Sequence, residues 1–196
     1  LWTVGGSPPM PPAGQTSPDM QEQLAEWVQC GWPRSGRAPF DRCAEPAQTV
    51  LASEVTDALC LDPQIGLAIL GDVSTTTAHV CTCEVQGDVD MQGPSEWPVL
   101  HTVTGSITSQ GTFLSPNLAL VEGSMNIQGT TEKTLPFPSL ARVAGDLTLQ
   151  DVSVERLEWS VLDSVGGHFL LQDSFMSAIV SPHLQEIGGD FTLATS

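Results

Sequence analysis

The chain is 196 residues long, with 23 acidic side chains against 6 basic ones, a formal net charge of −17 and 40% hydrophobic residues. That apolar fraction is enough for a packed core and excludes wholesale disorder. An acidic surface repels phosphate backbones and anionic lipid, and the most apolar run, IGLAILGDV over 65–73, is far shorter than the about 20 residues of a spanning helix; neither a nucleic-acid partner nor membrane insertion is expected.

The chain opens at Leu1 with no methionine and no signal-like apolar segment, as in a mature product whose signal was removed or in a trimmed chain. Residues 1–17, LWTVGGSPPMPPAGQTS, read as an extended Pro/Gly/Ser-rich tail. Ser17 then has the character of an N-cap, with Pro18 at the first helical position, Met20, Leu24, Trp27 and Val28 at helical spacing, and Gly31 as a stop. A second helix is expected over 46–59, with Ala47, Leu51, Val55, Ala58 and Leu59 on its apolar face. Residues 18–80 are therefore expected to form a small helical, cysteine-containing cap, turning strand-like through LAIL and AHVCTCEV after Asp62-Pro63.

Cys30, Cys43, Cys60, Cys81 and Cys83 all fall in the first 83 residues. Such clustering points to disulfides in an oxidising compartment, hence a secreted or cell-surface protein, and the odd count leaves one thiol free or paired outside the chain. Zinc at Cys81-Thr82-Cys83 is the competing reading.

From Val85 one pattern recurs, V-x-G-x-Φ-x-Φ with Φ apolar. It appears as VQGDVDM, VTGSITS, VEGSMNI, VAGDLTL, VGGHFLL and IGGDFTL, beginning at Val85, Val103, Val121, Val143, Val165 and Ile187. The intervals are 18, 18, 22, 22 and 22 residues. Leu100, Leu118, Leu140, Leu162 and Leu184 each stand three residues before the next Val or Ile, and Pro98, Pro116, Pro138 and Pro182 stand two before four of them. The alternation turns one strand face inward, and a unit this short buries its apolar face only by stacking on the next, as parallel strands about 4.8 Å apart. The glycine marks a crowded corner or a close backbone approach, and the proline a bend. The expected fold is mainly β: a right-handed parallel β-solenoid of about six turns over 81–196, open to continuation beyond the chain end, behind the helical cap. Leucine-rich repeats, of related period, need an asparagine or cysteine ladder, and only Asn117 and Asn126 are present.

The segment CEVQGDVDM, residues 83–91, resembles the opening of the receptor L-domain, the solenoid module of the epidermal-growth-factor and insulin receptor ectodomains and of certain fungal cell-wall proteins. VAGDLTL at Val143 and IGGDFTL at Ile187 are similar to its later turns, so the resemblance covers roughly residues 81–196. It implies an upstream helix tied by a disulfide near the first strand. The equivalents here are Cys60 with Cys83 (or Cys81) and Cys30 with Cys43, which leaves Cys81 as the candidate free or intermolecular thiol.

Candidate chemistry is sparse. His79, His101, His168 and His183 are dispersed, and no nucleophile elbow, P-loop or dinucleotide fingerprint is present. The position after the glycine reads Asp88, Ser106, Ser124, Asp146, His168, Asp190, and the next outward position Asp90, Thr108, Asn126, Thr148, Leu170, Thr192. Asp88, Asp90, Asp146, His168 and Asp190 are the candidate binding-face residues. They are either solvated strand residues or a surface that ligates calcium weakly; no other cofactor is expected. Asp88 and Asp90, two apart, would be the acids of a carbohydrate-active enzyme. Trp97, Phe137 and Trp159 are either core packing or a carbohydrate-stacking strip. The function expected is non-catalytic: a structural subunit of a cell-surface or extracellular polymer, partnered by other protein chains including its own copies. The alternative is a recognition module for a protein or glycan, and a carbohydrate-active enzyme comes third.

Overall fold

Each V-x-G-x-Φ-x-Φ segment folds as two short strands with the glycine at the corner between them. The computed structural model describes Cys43 and residues 48–60, 66–76, 79–130 and 137–194, all within the unit Arg42–Ser196. Seven turns stack. They are Leu67–Leu70 with Val73–Thr75, Thr82–Gln86 with Val89–Gln92, Thr102–Val103 with Ile107–Gln110, and Leu120–Val121 with Met125–Gln128. Arg142–Val143 with Leu147–Gln150, Ser164–Val165 with Phe169–Gln172, and Glu186–Ile187 with Phe191–Ala194 complete the series. The first strands, preceded by Gln48–Leu51, make an eight-stranded parallel sheet, and the second strands make a seven-stranded parallel sheet. This is a parallel β-solenoid.

The register sets the core. Val85, Val103, Val121, Val143 and Val165 stack in line and are fully buried, as are Leu100, Leu118, Leu140 and Leu162. Val89, Ile107, Met125, Leu147 and Phe169 form a second buried column from the other sheet. Each such side chain contributes about 1.5–3 kcal/mol by leaving water. Where a proline stands two before the leucine, it sits second in a tight turn. The N–H of Leu100 donates to the Trp97 carbonyl at 3.3 Å, Leu118 to Ser115 at 3.2 Å, and Leu140 to Phe137 at 3.2 Å.

Three expectations are corrected. The array has seven turns and begins at Leu67, because ILGDVST, starting at Ile69, is itself a repeat 16 residues before Val85. Its short interval and apolar surroundings mask it. The helix expected over 46–59 is replaced by the strand Gln48–Leu51 and two 3₁₀ turns, Ala52–Glu54 and Asp57–Cys60; no α-helix occurs among the described residues. Thr49 and Val50 are β-branched and pair with Ala68 and Ile69, so sheet pairing with Val50 buried overrides the helical spacing. The tail over 1–17 and the first expected helix lie outside the described residues.

The third correction is the disulfide pattern. Cys43 bonds Cys83 and Cys60 bonds Cys81, with Cα separations of 5.7 and 5.4 Å. The pair Cys30–Cys43 is thus excluded by the Cys43–Cys83 bond, and Cys81 is not a free thiol. Cys81, the neighbour of Thr82 that pairs with Leu67, is the cysteine that meets Cys60, rather than Cys83. Cys30 lies outside the described residues.

Candidate functional site

Two kinds of hydrogen bond join successive turns at the corners, both at each junction from the second turn onward and the second kind between the first turn and the second. The glycine N–H donates to the glycine carbonyl one turn earlier: Gly105 to Gly87 at 3.1 Å, Gly123 to Gly105 at 3.0 Å, Gly145 to Gly123 at 2.9 Å, Gly167 to Gly145 at 2.9 Å and Gly189 to Gly167 at 2.8 Å. The residue after the glycine donates its N–H to the side chain at the same position one turn earlier. Asp88 donates to Asp72 Oδ1 (2.9 Å), Ser106 to Asp88 Oδ1 (2.7 Å) and Ser124 to Ser106 Oγ (3.1 Å). Asp146 donates to Ser124 Oγ (3.0 Å), His168 to Asp146 Oδ1 (2.7 Å) and Asp190 to His168 Nδ1 (2.9 Å). This ladder runs unbroken from the first turn to the seventh.

The residue types follow from the geometry. Asp, Ser and His each hold an acceptor one or two bonds beyond Cβ, close enough to reach a backbone N–H that the corner leaves out of both sheets. Glycine clears the space they fill. A Cβ at Gly105 would overlap Asp88 Oδ1 and the Gly87 carbonyl, one at Gly123 would lie 2.5 Å from Ser106 Oγ, and one at Gly189 would lie 2.7 Å from His168 Nδ1.

Four of the five candidate binding-face residues are therefore placed at the corner, not on a strand face. Asp88, Asp146 and His168 accept from the next turn, and Asp190 donates its N–H to His168 with its carboxylate Oδ2 3.7 Å from the same ring nitrogen. Asp90 is on the outer strand face, where its Oδ1 accepts from Gln92 Nε2 at 2.8 Å. Asp88 and Asp90, expected to act together, are set to different tasks: one closes the corner and the other lies on the sheet.

The outer face of the seven-stranded sheet carries two columns in register. Asp90, Thr108, Asn126, Thr148, Leu170 and Thr192 form one; Gln92, Gln110, Gln128, Gln150 and Gln172 form the other. Gln128 Nε2 donates to Gln150 Oε1 at 3.3 Å. Asp90 is the one charged residue in either column, in a chain whose formal net charge is −17. Sequence reasoning found the first column and missed the second, although a glutamine directly follows the last Φ in five of the six repeats it aligned.

Trp97, Phe137 and Trp159 are buried and belong to the core, so no stacking strip is displayed. Trp97 stacks on His79 with ring centroids 4.4 Å apart and donates Nε1–H to Ser95 Oγ at 2.7 Å. The sulfurs of Cys43 and Cys83 and a ring nitrogen of His101 lie within 4.8 Å of one another. Bridged sulfurs are not thiolates, so neither this trio nor the Cys81-Thr82-Cys83 segment offers the ligands that the zinc reading requires. A cavity of about 690 Å³ at the first turn is lined by residues that include Leu51, Val55, Asp72, Val73 and His79; its acid, Asp72, is the first acceptor of the ladder.

No family model matches the chain, and neither the curated proteins nor the solved structures compared with it give a match. The two disulfides fit an oxidising compartment. Among the described residues no helix is long and apolar enough to cross a membrane.

Proposed function

We propose that this chain is a secreted, non-catalytic structural protein, a right-handed solenoid of the receptor L-domain kind that serves as a subunit of a cell-surface or extracellular assembly. The observation that carries this reading is the ladder. The polar corner column, which holds four of the five candidate binding-face residues, directs its acceptors along the stack and works as a fastening between turns. The surface left for assembly is the outer face of the seven-stranded sheet. There, hydroxyl and amide groups recur at every turn with Asp90 as the single charge, so copies of an acidic chain meet with least repulsion.

The same two columns favour a second reading, recognition of an extended glycan by regularly spaced donors and acceptors. Sedimentation velocity across a concentration series, with pull-down on insoluble uncharged polysaccharides, separates the two. Assembly gives larger species that the double variant Asn126→Lys/Thr148→Lys reduces to monomer. Recognition gives a monomer that sediments with one polysaccharide and loses it in the same variant. A monomer that binds none of the polymers, or a variant that behaves as the parent does, refutes this use of the face.

A further inference from the structure

The ladder has one member unlike the rest. Asp72, Asp88, Ser106, Ser124 and Asp146 accept through oxygen, whereas the last acceptor, His168, does so through Nδ1 of an imidazole. We infer that His168 is a proton-responsive joint between the sixth and seventh turns.

The Nδ1···N distance to Asp190 is 2.9 Å, and the Asp190 backbone nitrogen brings the hydrogen. Nδ1 accepts it only as the unprotonated nitrogen of a neutral ring, which fixes the tautomer with its proton on Nε2. A proton taken from solvent lands on Nδ1 and sets an N–H against an N–H, so the rung opens. Asp190 Oδ2, 3.7 Å from Nδ1, then takes the new N–H, and the ring exchanges a backbone partner for a carboxylate on the same residue. The titratable groups that face His168 are Asp146 from the fifth turn, whose Oδ1 is held by the His168 N–H, and Asp190 from the seventh. The sign follows: the rung is present while the ring is neutral and is lost as pH falls. The Ser106 and Ser124 rungs have hydroxyl acceptors and do not respond. Protonation of the ring therefore loosens the corner of the seventh turn and leaves the turns before it fastened.

The test uses the full chain, labelled with nitrogen-15. Long-range nitrogen–proton spectra of the imidazole at neutral pH are expected to show His168 with its proton on Nε2. Amide exchange is then compared at pH about 7.5 and about 5, bracketing the range in which imidazoles titrate. The Asp190 protection factor is expected to fall about tenfold, the equivalent of one lost hydrogen bond. The Asp146 amide, bonded to Ser124 Oγ, should hold its value. His168→Ser, which installs the acceptor already used at 106 and 124, should make Asp190 protection independent of pH. A proton on Nδ1 at neutral pH, an Asp190 protection that does not change, or an equal fall in His168→Ser each overturns the inference.

Discussion

Asp146 and Gly167 share one volume: Asp146 Oδ1 occupies the place where a Gly167 Cβ would stand, and from there accepts the His168 N–H at 2.7 Å. From Gly105 onward the glycine of one turn is therefore crowded by the side chain of the turn before it, whereas at Gly87 the crowding comes from the Gly71 and Asp72 backbone. This coupling accounts for the G-x pair that recurs through the chain, since the residue after the glycine passes the same demand to the following turn.

Gly167→Ala is expected to destabilise the protein by about 2 kcal/mol or more, because the new methyl meets Asp146 Oδ1 and lies 2.9 Å from the Gly145 carbonyl carbon. Adding Asp146→Ala should recover part of this loss, since only the backbone contact then remains. Urea unfolding midpoints of the two single variants and the double variant measure the coupling. Strict additivity would refute the shared volume.

Asp146→Ala alone removes an acceptor at an exposed corner where water replaces it, so the cost should be about 1 kcal/mol. Asp146→Ser should lie within about 0.5 kcal/mol of the parent, because serine already serves at 106 and 124. Exchange of the His168 amide separates them: faster in the alanine variant, unchanged in the serine variant.

Leu140 is fully buried and Leu184, its counterpart two turns later, is only partly so. Leu140→Ala is expected to cost about 2–5 kcal/mol and Leu184→Ala clearly less. Equal losses in chemical denaturation would contradict the difference in packing.

Peptide mapping without reduction should return Cys43 linked to Cys83 and Cys60 linked to Cys81. The bonds close separations of 40 and 21 residues, and each is expected to contribute about 3–4 kcal/mol by restricting the unfolded chain. Cys43→Ser/Cys83→Ser and Cys60→Ser/Cys81→Ser measure them one at a time by thermal or urea unfolding.

The stack itself was legible because valine, glycine and leucine recur at fixed offsets from Val85, and their burial follows from the alternation alone. Turn one escaped because its 16-residue interval broke the 18- and 22-residue spacing. The helix over 46–59 failed because i, i+4 apolar spacing in a short segment yields to a neighbouring strand that offers a complete row of hydrogen bonds. The ladder was hidden for another reason. Aspartate and serine on an outward column look the same whether water or a backbone N–H satisfies them, and only the distance to the following turn distinguishes the two. The paired disulfides were open for a similar cause, since spacing leaves several connectivities that only strand register decides.

The central claim is that one continuous side-chain ladder fastens the seven turns. Residue-resolved amide exchange of Asp88, Ser106, Ser124, Asp146, His168 and Asp190 at neutral pH tests it most directly. All six amides should exchange at least about a hundredfold more slowly than in an unfolded chain, despite their place on exposed corners. Exchange at unfolded rates for these six, with the flanking strand amides protected, would contradict it.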